Sequence, residues 1–457
     1  MLKGIDNIYF LGIGGISMSA LARWAQIKGF NVRGWDDNIN SSTIDSLNDS
    51  GIIIDDSCSE IDFFAFLDSL SKENTILVYT SAISEKHHVL KVFKNKNINA
   101  YKRADLLQCI STDYQVVAIA GTHGKTTISV MLSHILKFSG INCNAFFGGV
   151  SKNYNSNFII GDSSIMVVEA DEYDRSFLKL KPIFSLVSSL DKDHGDIYSS
   201  HEDMLQAYDE FMVNTKQIVI GNNKLNSKFD FTYSQTSSAD FYASCISKKK
   251  DSLYFTINFP DNLNVNTKLH FGTYYNVENA VAAASLAFIL GVSPAFIGQA
   301  LGVFKGVKRR FEHHDINIPN MVLIDDYAHH PEELKSLIQN SRILYKGEEI
   351  FFIFQPHLFS RTLEFEDDFA EALSLVDKLI ILDIYPAREK KIKGVSSSNL
   401  LAKVNLKHKW HLQGGHKTLE FNNRFKKILL NHRPNLLITA GAGSIDKLIP
   451  KIKSILT

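Results

Sequence analysis

Four cysteines in 457 residues, Cys58, Cys109, Cys143 and Cys245, include no C-x-x-C pair, which excludes a disulfide framework and a zinc knuckle and fits a reducing compartment. Charge of one sign is also missing. Lys plus Arg and Asp plus Glu number 49 each, so no global field draws the chain to nucleic acid or to an anionic membrane. Any anion site must be built locally. Long apolar runs are absent too: Val281 to Val292 is too short to span a bilayer. The apolar stretch Ile8 to Ala22 ends in Ala20-Leu21-Ala22 like a signal-peptidase site, but three glycines interrupt it, and Lys3 and Asp6 cancel ahead of it. A cytoplasmic protein with neither leader nor membrane insertion is expected. There is no internal repeat or low-complexity tract, and nothing sets an oligomeric state.

What is present is an α/β alternation long enough for three domains. Residues 1–110 read as a Rossmann-like domain: strand Asn7 to Leu11, glycine loop Gly12 to Ser17, helix Met18 to Lys28, then strands Asn31 to Trp35 and Thr75 to Tyr79. Residues 111–310 read as a P-loop-type ATPase domain with a mainly parallel sheet. Its strands from Val116, Ser164 and Ile183 are continuous apolar runs, as parallel strands covered on both faces require. The polar, turn-rich segment Asn222 to Thr267 is expected to extend that sheet antiparallel, and a helix follows at Val277 to Leu290. Gly306 to Phe311 reads as a hinge. Residues 311–457 read as a second Rossmann-like domain, with strands at Met321, Glu349, Lys378 and Asn435 and a helix at Pro331 to Leu344.

The sharpest motif lies at the head of the central domain. Val116 to Ala120 runs into Gly121, Thr122, His123, Gly124, Lys125, Thr126 and Thr127. Two glycines let successive backbone N–H groups face one anion, and the helix expected to start near Thr126 adds its positive end. Lys125 offers a charge to β- and γ-phosphates, and the Thr126 hydroxyl offers a ligand to Mg²⁺. The general phosphate-loop pattern places a further glycine where Ile119 stands, so this is a shorter form. The order strand, loop, helix favours a nucleoside triphosphate over a plain glycine turn with an exposed lysine.

Ligands in a parallel sheet lie at the carboxyl ends of the strands. Glu169 ends one such strand and His194 follows another, which brings both to the rim that carries Thr126. The carboxylate suits a hard cation. His194 alone reads more readily as a hydrogen-bonded turn histidine, and its acidic neighbours reverse that preference. At the N-terminus, Gly12-Ile13-Gly14-Gly15-Ile16-Ser17 resembles a dinucleotide fingerprint with serine in its last place, and Asp36 ends the next strand. That pattern promises a diphosphate at a helix N-terminus and leaves the nucleotide open. In the last third, Asp325 to Pro331 and Gln355 to Thr362 place His, Tyr and Arg at two strand ends, which favours a polar ligand site over solvated turns.

Together these motifs resemble the Mur ligases, ATP-dependent enzymes that add amino acids to the peptidoglycan precursor. Gly12 to Ala20, Gly121 to Thr127, Glu169 to Leu178, Asp193 to Tyr198, Asn276 to Ala280, Arg309 to Glu312, Asp326 to Pro331, Gln355 to Thr362 and Tyr385 to Val395 follow the family's order over nearly the whole chain. The resemblance implies ATP and Mg²⁺ as cofactors, UDP-N-acetylmuramate and L-alanine as partners, and an acyl-phosphate intermediate. It implies that Gly14, Gly15, Ser17, Asp36, Ser81 and Arg103 bind the UDP substrate, and that Thr126, Glu169 and His194 bind metal. Residues 121–127, Asn276, Asn279, Arg310, Asp326 and Tyr327 would bind ATP, the two asparagines facing adenine. Lys125, His329, His357 and Arg361 would be catalytic, the last three beside the incoming alanine, with His329 or His357 as base. The third domain is expected to close over the others.

Ser17 stands for a usual glycine, Tyr275 for a common histidine and Tyr173 for a frequent serine. Three rivals are weighed against this reading. One is a recycling ligase that joins UDP-N-acetylmuramate to a preformed tripeptide. Another is a nucleotide-regulated NAD-dependent oxidoreductase using Gly12 to Ser17 and Asp36, which leaves the His/Arg cluster unexplained. The last is a phosphate-loop switch protein with no chemistry of its own.

Overall fold

Apolar runs that the sequence marks as strands become the centres of three sheets. The computed structural model describes every residue except 40, 57–59, 193, 194, 196, 250, 271, 388 and 415–417. It divides into two units, Met1–Ile246 with Tyr254–Lys268 and Val277–Lys305, and Ser247–Leu253 with Leu269–Asn276 and Gly306–Thr457.

The first unit holds a five-stranded parallel sheet in the order Ile53–Asp55, Asn31–Trp35, Asn7–Leu11, Thr75–Tyr79, Asn99–Lys102. Asn7–Leu11 has neighbours reached by crossovers in opposite directions, so the crevice of a doubly wound sheet opens at its carboxyl end, where the glycine loop lies. Helix Ile16–Ile27 starts two residues earlier than the sequence suggests and places Ser17 in its first turn.

A ten-stranded sheet follows. Its middle strands are Phe184–Val187, Gln115–Ala120, Ile165–Glu169 and Asn144–Ser151, all parallel, closed by antiparallel Ser156–Ile159. Val117, Ile119, Val167 and Leu186 are fully buried, each worth about 1.5–3 kcal/mol of apolar transfer. The expected antiparallel extension is corrected over its first part: Ile218–Asn222, Phe231–Ser234 and Phe241–Lys249 pair parallel, and Ser252–Asn258 and Asn264–His270 continue the sheet beyond them. Residues 223–230 and 235–240 carry the chain back to the same end each time, so turn-rich composition marks the strands without fixing their direction.

Asn144–Ser151 escapes sequence reading because Gly148 and Gly149 break its pattern. The two sheets are tied together: Asn157 Nδ2 donates to Ile16 O at 2.5 Å and to Ser19 Oγ at 3.0 Å. Lys102 pairs with Asp174 at 2.7 Å, and Lys179 pairs with Asp105.

The second unit contains a six-stranded sheet in the order Glu312–His314, Val322–Asp326, Leu436–Ala440, Ile350–Phe354, Lys378–Leu382, His408–Leu412, parallel except for the first pair. His408–Leu412, reading His-Lys-Trp-His-Leu, is too polar to announce itself as a strand. Helix Pro331–Leu344 falls where proline at its first position places it. No helix among the described residues is long and apolar enough to cross a membrane.

Candidate functional site

Strand Gln115–Ala120 delivers Gly121 with φ +129°, and helix Lys125–Phe138 begins after Gly124 with φ +82° and no side-chain cap. The uncapped first turn leaves backbone donors for an anion. The loop is held from the end of the neighbouring strand Phe184–Val187. Ser189 Oγ accepts from His123 N at 2.7 Å and lies 2.9 Å from Thr122 Oγ1, while Ser188 Oγ bonds Ala120 O at 3.2 Å and also His123 O. Neither serine stands out in the sequence; their position directly after an apolar strand is the one signal they give. A Cβ on Gly121 would lie 2.2 Å from Ser188 Oγ and within 2.9 Å of two backbone nitrogens. Gly121→Ala is therefore expected to cost about 2–4 kcal/mol, read as a lowered thermal midpoint. An unchanged midpoint would show that the loop can move aside.

Lys125 Nζ donates to Gly121 O at 2.5 Å and to Glu172 Oε1 at 2.8 Å. Burial opposes its charge, but Glu172, Asp171 and Glu169 together hold its pKa above the ordinary lysine value. Thr126 Oγ1 donates to Glu169 Oε1 at 2.8 Å, and the other Glu169 oxygen accepts from Gly148 N at 2.6 Å. A Cβ on Gly148 would stand 2.7 Å from that carboxylate, which explains a glycine inside a strand. A hydroxyl and a carboxylate side by side on the rim of a phosphate loop match the hard oxygen donors a divalent cation takes beside phosphates. His194 lies outside the described residues.

At the first sheet, Asp36 spends both oxygens on backbone, accepting from Gly14 N at 2.8 Å and Asn38 N at 2.9 Å. It shapes the glycine loop. Gly15 is the uncapped N-terminus of helix Ile16–Ile27. Ser81 is exposed in the turn after Thr75–Tyr79, and Thr80 beside it packs where a Gly12 side chain would be. Arg103 turns to the central sheet and meets Asp171 at 3.2 Å. Helix Tyr274–Ile289 carries both asparagines; Asn279 Oδ1 would be 2.8 Å from a Cβ on Gly124. Tyr173 N donates to Asp171 Oδ1 at 3.1 Å.

The remaining candidates gather in the second unit. Asp326 accepts from Phe311 N at 2.6 Å and Ala328 N at 2.8 Å; burial raises its pKa, with Arg310 pulling the other way. Arg310 lies over the Tyr327 ring at 5.4 Å. Burial raises the Tyr275 hydroxyl pKa, and Asp326 adds to it. Tyr327 and His329 meet edge to face at 5.3 Å, His329 and His357 at 5.9 Å, and His357 stacks on Tyr385 at 5.7 Å. His329 Nδ1 lies 2.9 Å from Tyr327 O. Burial lowers the pKa of both histidines, with Arg361 contributing, and brings His357 to about 4. Both rings are neutral at pH 7. His357 Nδ1 is buried without a hydrogen-bond partner among the described residues, and the Arg361 guanidinium makes neither hydrogen bond nor ion pair among them. A neutral base beside an unengaged guanidinium is an arrangement that can receive a carboxylate and take up a proton.

Three family models cover most of the chain: the Mur ligase family catalytic domain matches residues 7–115, the Mur ligase middle domain 119–287, and the Mur ligase glutamate ligase domain 309–438. A UDP-N-acetylmuramate–L-alanine ligase of Porphyromonas gingivalis strain W83 is 41% identical, covering 99% of each chain. Among solved structures, a UDP-N-acetylmuramate–alanine ligase of Thermotoga maritima aligns with TM-score 0.80 at 23% identity over 98% of each chain. A murein peptide ligase of Psychrobacter arcticus aligns at 0.70 with 21% identity, again over 98% of each.

Proposed function

The chain belongs to the Mur ligase family, and on that premise we propose that it joins L-alanine to the lactyl carboxylate of UDP-N-acetylmuramate with consumption of ATP, in the cytoplasm. The observation that carries this reading is the 41% identity, over 99% of both chains, with a ligase named for that reaction.

The lactyl carboxylate oxygen attacks the γ-phosphorus, the bond to the β–γ bridging oxygen breaks, and ADP leaves an acyl phosphate. Such transfers need position and charge more than covalent help. Lys125 supplies charge at the loop, whose backbone donors hold the phosphates. Thr126 and Glu169, with His194 by family resemblance, would hold Mg²⁺, which when bound offsets phosphate charge. The UDP diphosphate takes the helix N-terminus at Gly14, Gly15 and Ser17, with Asp36 shaping the loop and Ser81 and Arg103 nearby. Asn276, Asn279, Arg310, Asp326 and Tyr327 serve ATP.

In the second step the neutral alanine amine attacks the acyl carbon and phosphate departs. Arg361 receives the alanine carboxylate, and His357 or His329 takes the amine proton. Both imidazoles are suited to this because burial keeps them unprotonated.

The test is ADP release by the purified protein with ATP and Mg²⁺. Turnover is expected only when UDP-N-acetylmuramate and L-alanine are both present. Turnover with L-alanyl-γ-D-glutamyl-diaminopimelate and none with alanine would convert the reading to the recycling ligase, and hydrolysis indifferent to both would end it.

A further inference from the structure

We propose that Arg309 is a positioning residue for the amino-acid end of the reaction, a guanidinium clamp that fixes the loops bearing Tyr327, His329 and His357 in one geometry. This rests on the ligase reading above, in which those loops receive alanine. Arg309 itself touches neither histidine.

Its side chain joins the end of strand Val322–Asp326 to the glycine loop that follows Leu436–Ala440. Nε donates to Asp325 Oδ2 at 3.1 Å, Nη1 to Gly443 O at 3.2 Å and Nη2 to Gly441 O. The guanidinium also lies over the Tyr327 ring at 5.1 Å, and the Arg309 carbonyl accepts from Tyr327 N at 2.7 Å. The residue adopts φ +59°, a left-handed backbone uncommon for arginine. Asp325 is 1% exposed and takes a second bond, from Thr439 Oγ1 at 2.6 Å. Glu312, His314 and Asp325 bring ligand atoms within 4.8 Å of one another. Arg309 occupies one Asp325 oxygen and Thr439 the other, so the guanidinium engages this cluster through Asp325.

From Arg309 the contacts run in two directions and meet. One passes through Tyr327 to His329, bonded to the Tyr327 carbonyl and packed against its ring. The other passes through the glycine loop. A Cβ on Gly441 would lie 2.6 Å from Gln355 O, and one on Gly443 would lie 2.7 Å from the Tyr385 ring, so this loop rests flat against both residues. Tyr385 stacks on His357 and is locked there by Leu358 N to Tyr385 O at 2.9 Å and Tyr385 N to Pro356 O at 2.8 Å. His329 and His357 then close the circuit. A planar fork with five donors can serve a carboxylate and two carbonyls together; a lysine ammonium cannot span them.

The experiment uses the full-length chain as wild type, Arg309→Ala and Arg309→Lys, with each of the three substrates varied in the ADP-release assay and thermal midpoints recorded. Misplacing a reacting group by about 1 Å costs on the order of 10²-fold. Arg309→Ala is therefore expected to lose at least about tenfold in kcat and to raise KM for alanine by about as much, with KM for UDP-N-acetylmuramate within about twofold of wild type. Arg309→Lys should not recover it, while guanidinium at low millimolar concentration should restore part of the turnover of Arg309→Ala. Wild-type alanine kinetics in either variant overturns the proposal. So does an equal rise in all three KM values, or a loss that vanishes when the assay temperature is lowered by the shift in midpoint. If Arg309→Ala is insoluble, Arg309→Lys is read by the same criteria. An inactive wild type in the same run overturns the ligase reading instead.

Discussion

Lys125→Met is expected to lower kcat by about 10³-fold, the scale on which a preorganised charge acts on a developing anion. Methionine keeps most of the stem and loses the ammonium. The variant should still bind UDP-N-acetylmuramate, whose proposed contacts lie at the other glycine loop. A second effect follows from burial: Glu172, 1% exposed, would be left short of its ammonium at 2.8 Å. Breaking a buried pair by removing one partner costs about 3–5 kcal/mol. The thermal midpoint should therefore fall as well, and Lys125→Met combined with Glu172→Gln should regain much of it without regaining turnover. Measuring kcat and midpoint on the single and double variants separates the two roles. Turnover within about tenfold of wild type would remove Lys125 from phosphoryl transfer.

His357→Ala should slow turnover by about 10²-fold and raise the alanine requirement, as loss of a positioned base does. The pH dependence follows from the folded pKa of about 4, below the ordinary histidine value. Between those values the unfolded chain binds the proton and the folded chain does not, so this group's contribution to stability is present above pH 6.5 and lost as pH falls toward 4. His357→Gln should flatten that part of the midpoint-versus-pH curve. In activity, the wild-type imidazole stays neutral through pH 6, so its protonation should limit kcat/KM for alanine only near pH 4. Unaltered alanine kinetics in His357→Ala would give the base role to another group.

Much of this was legible in the chain because the informative residues lie where strands end. Gly121 to Thr127 and Glu169 lie where apolar runs of the central sheet end, so the rim they share could be anticipated, and Asp326 ends such a run in the sheet of the second unit. The residues that hold them were not. Ser188 and Ser189 act through backbone contacts that leave no pattern, and Gly148 matters only because Glu169 approaches it from another strand. Arg309 stood in a recognised segment, but its three acceptors lie 16 to 134 positions away in the sequence. The parallel direction of Phe231–Ser234 and Phe241–Lys249 was missed because composition reports turns and not where the chain re-enters the sheet.

The glycines at 121, 124 and 148 bear on how an inhibitor of this loop would fare. A side chain at any of them would collide with Ser188, Asn279 or Glu169 at 2.8 Å or less, and the donors proposed for the phosphates include main-chain N–H groups that, of all substitutions, only proline removes. A compound gripping those donors meets a surface with few viable escape substitutions. Resistance would have to arise at its periphery, or in how much of the enzyme the cell makes.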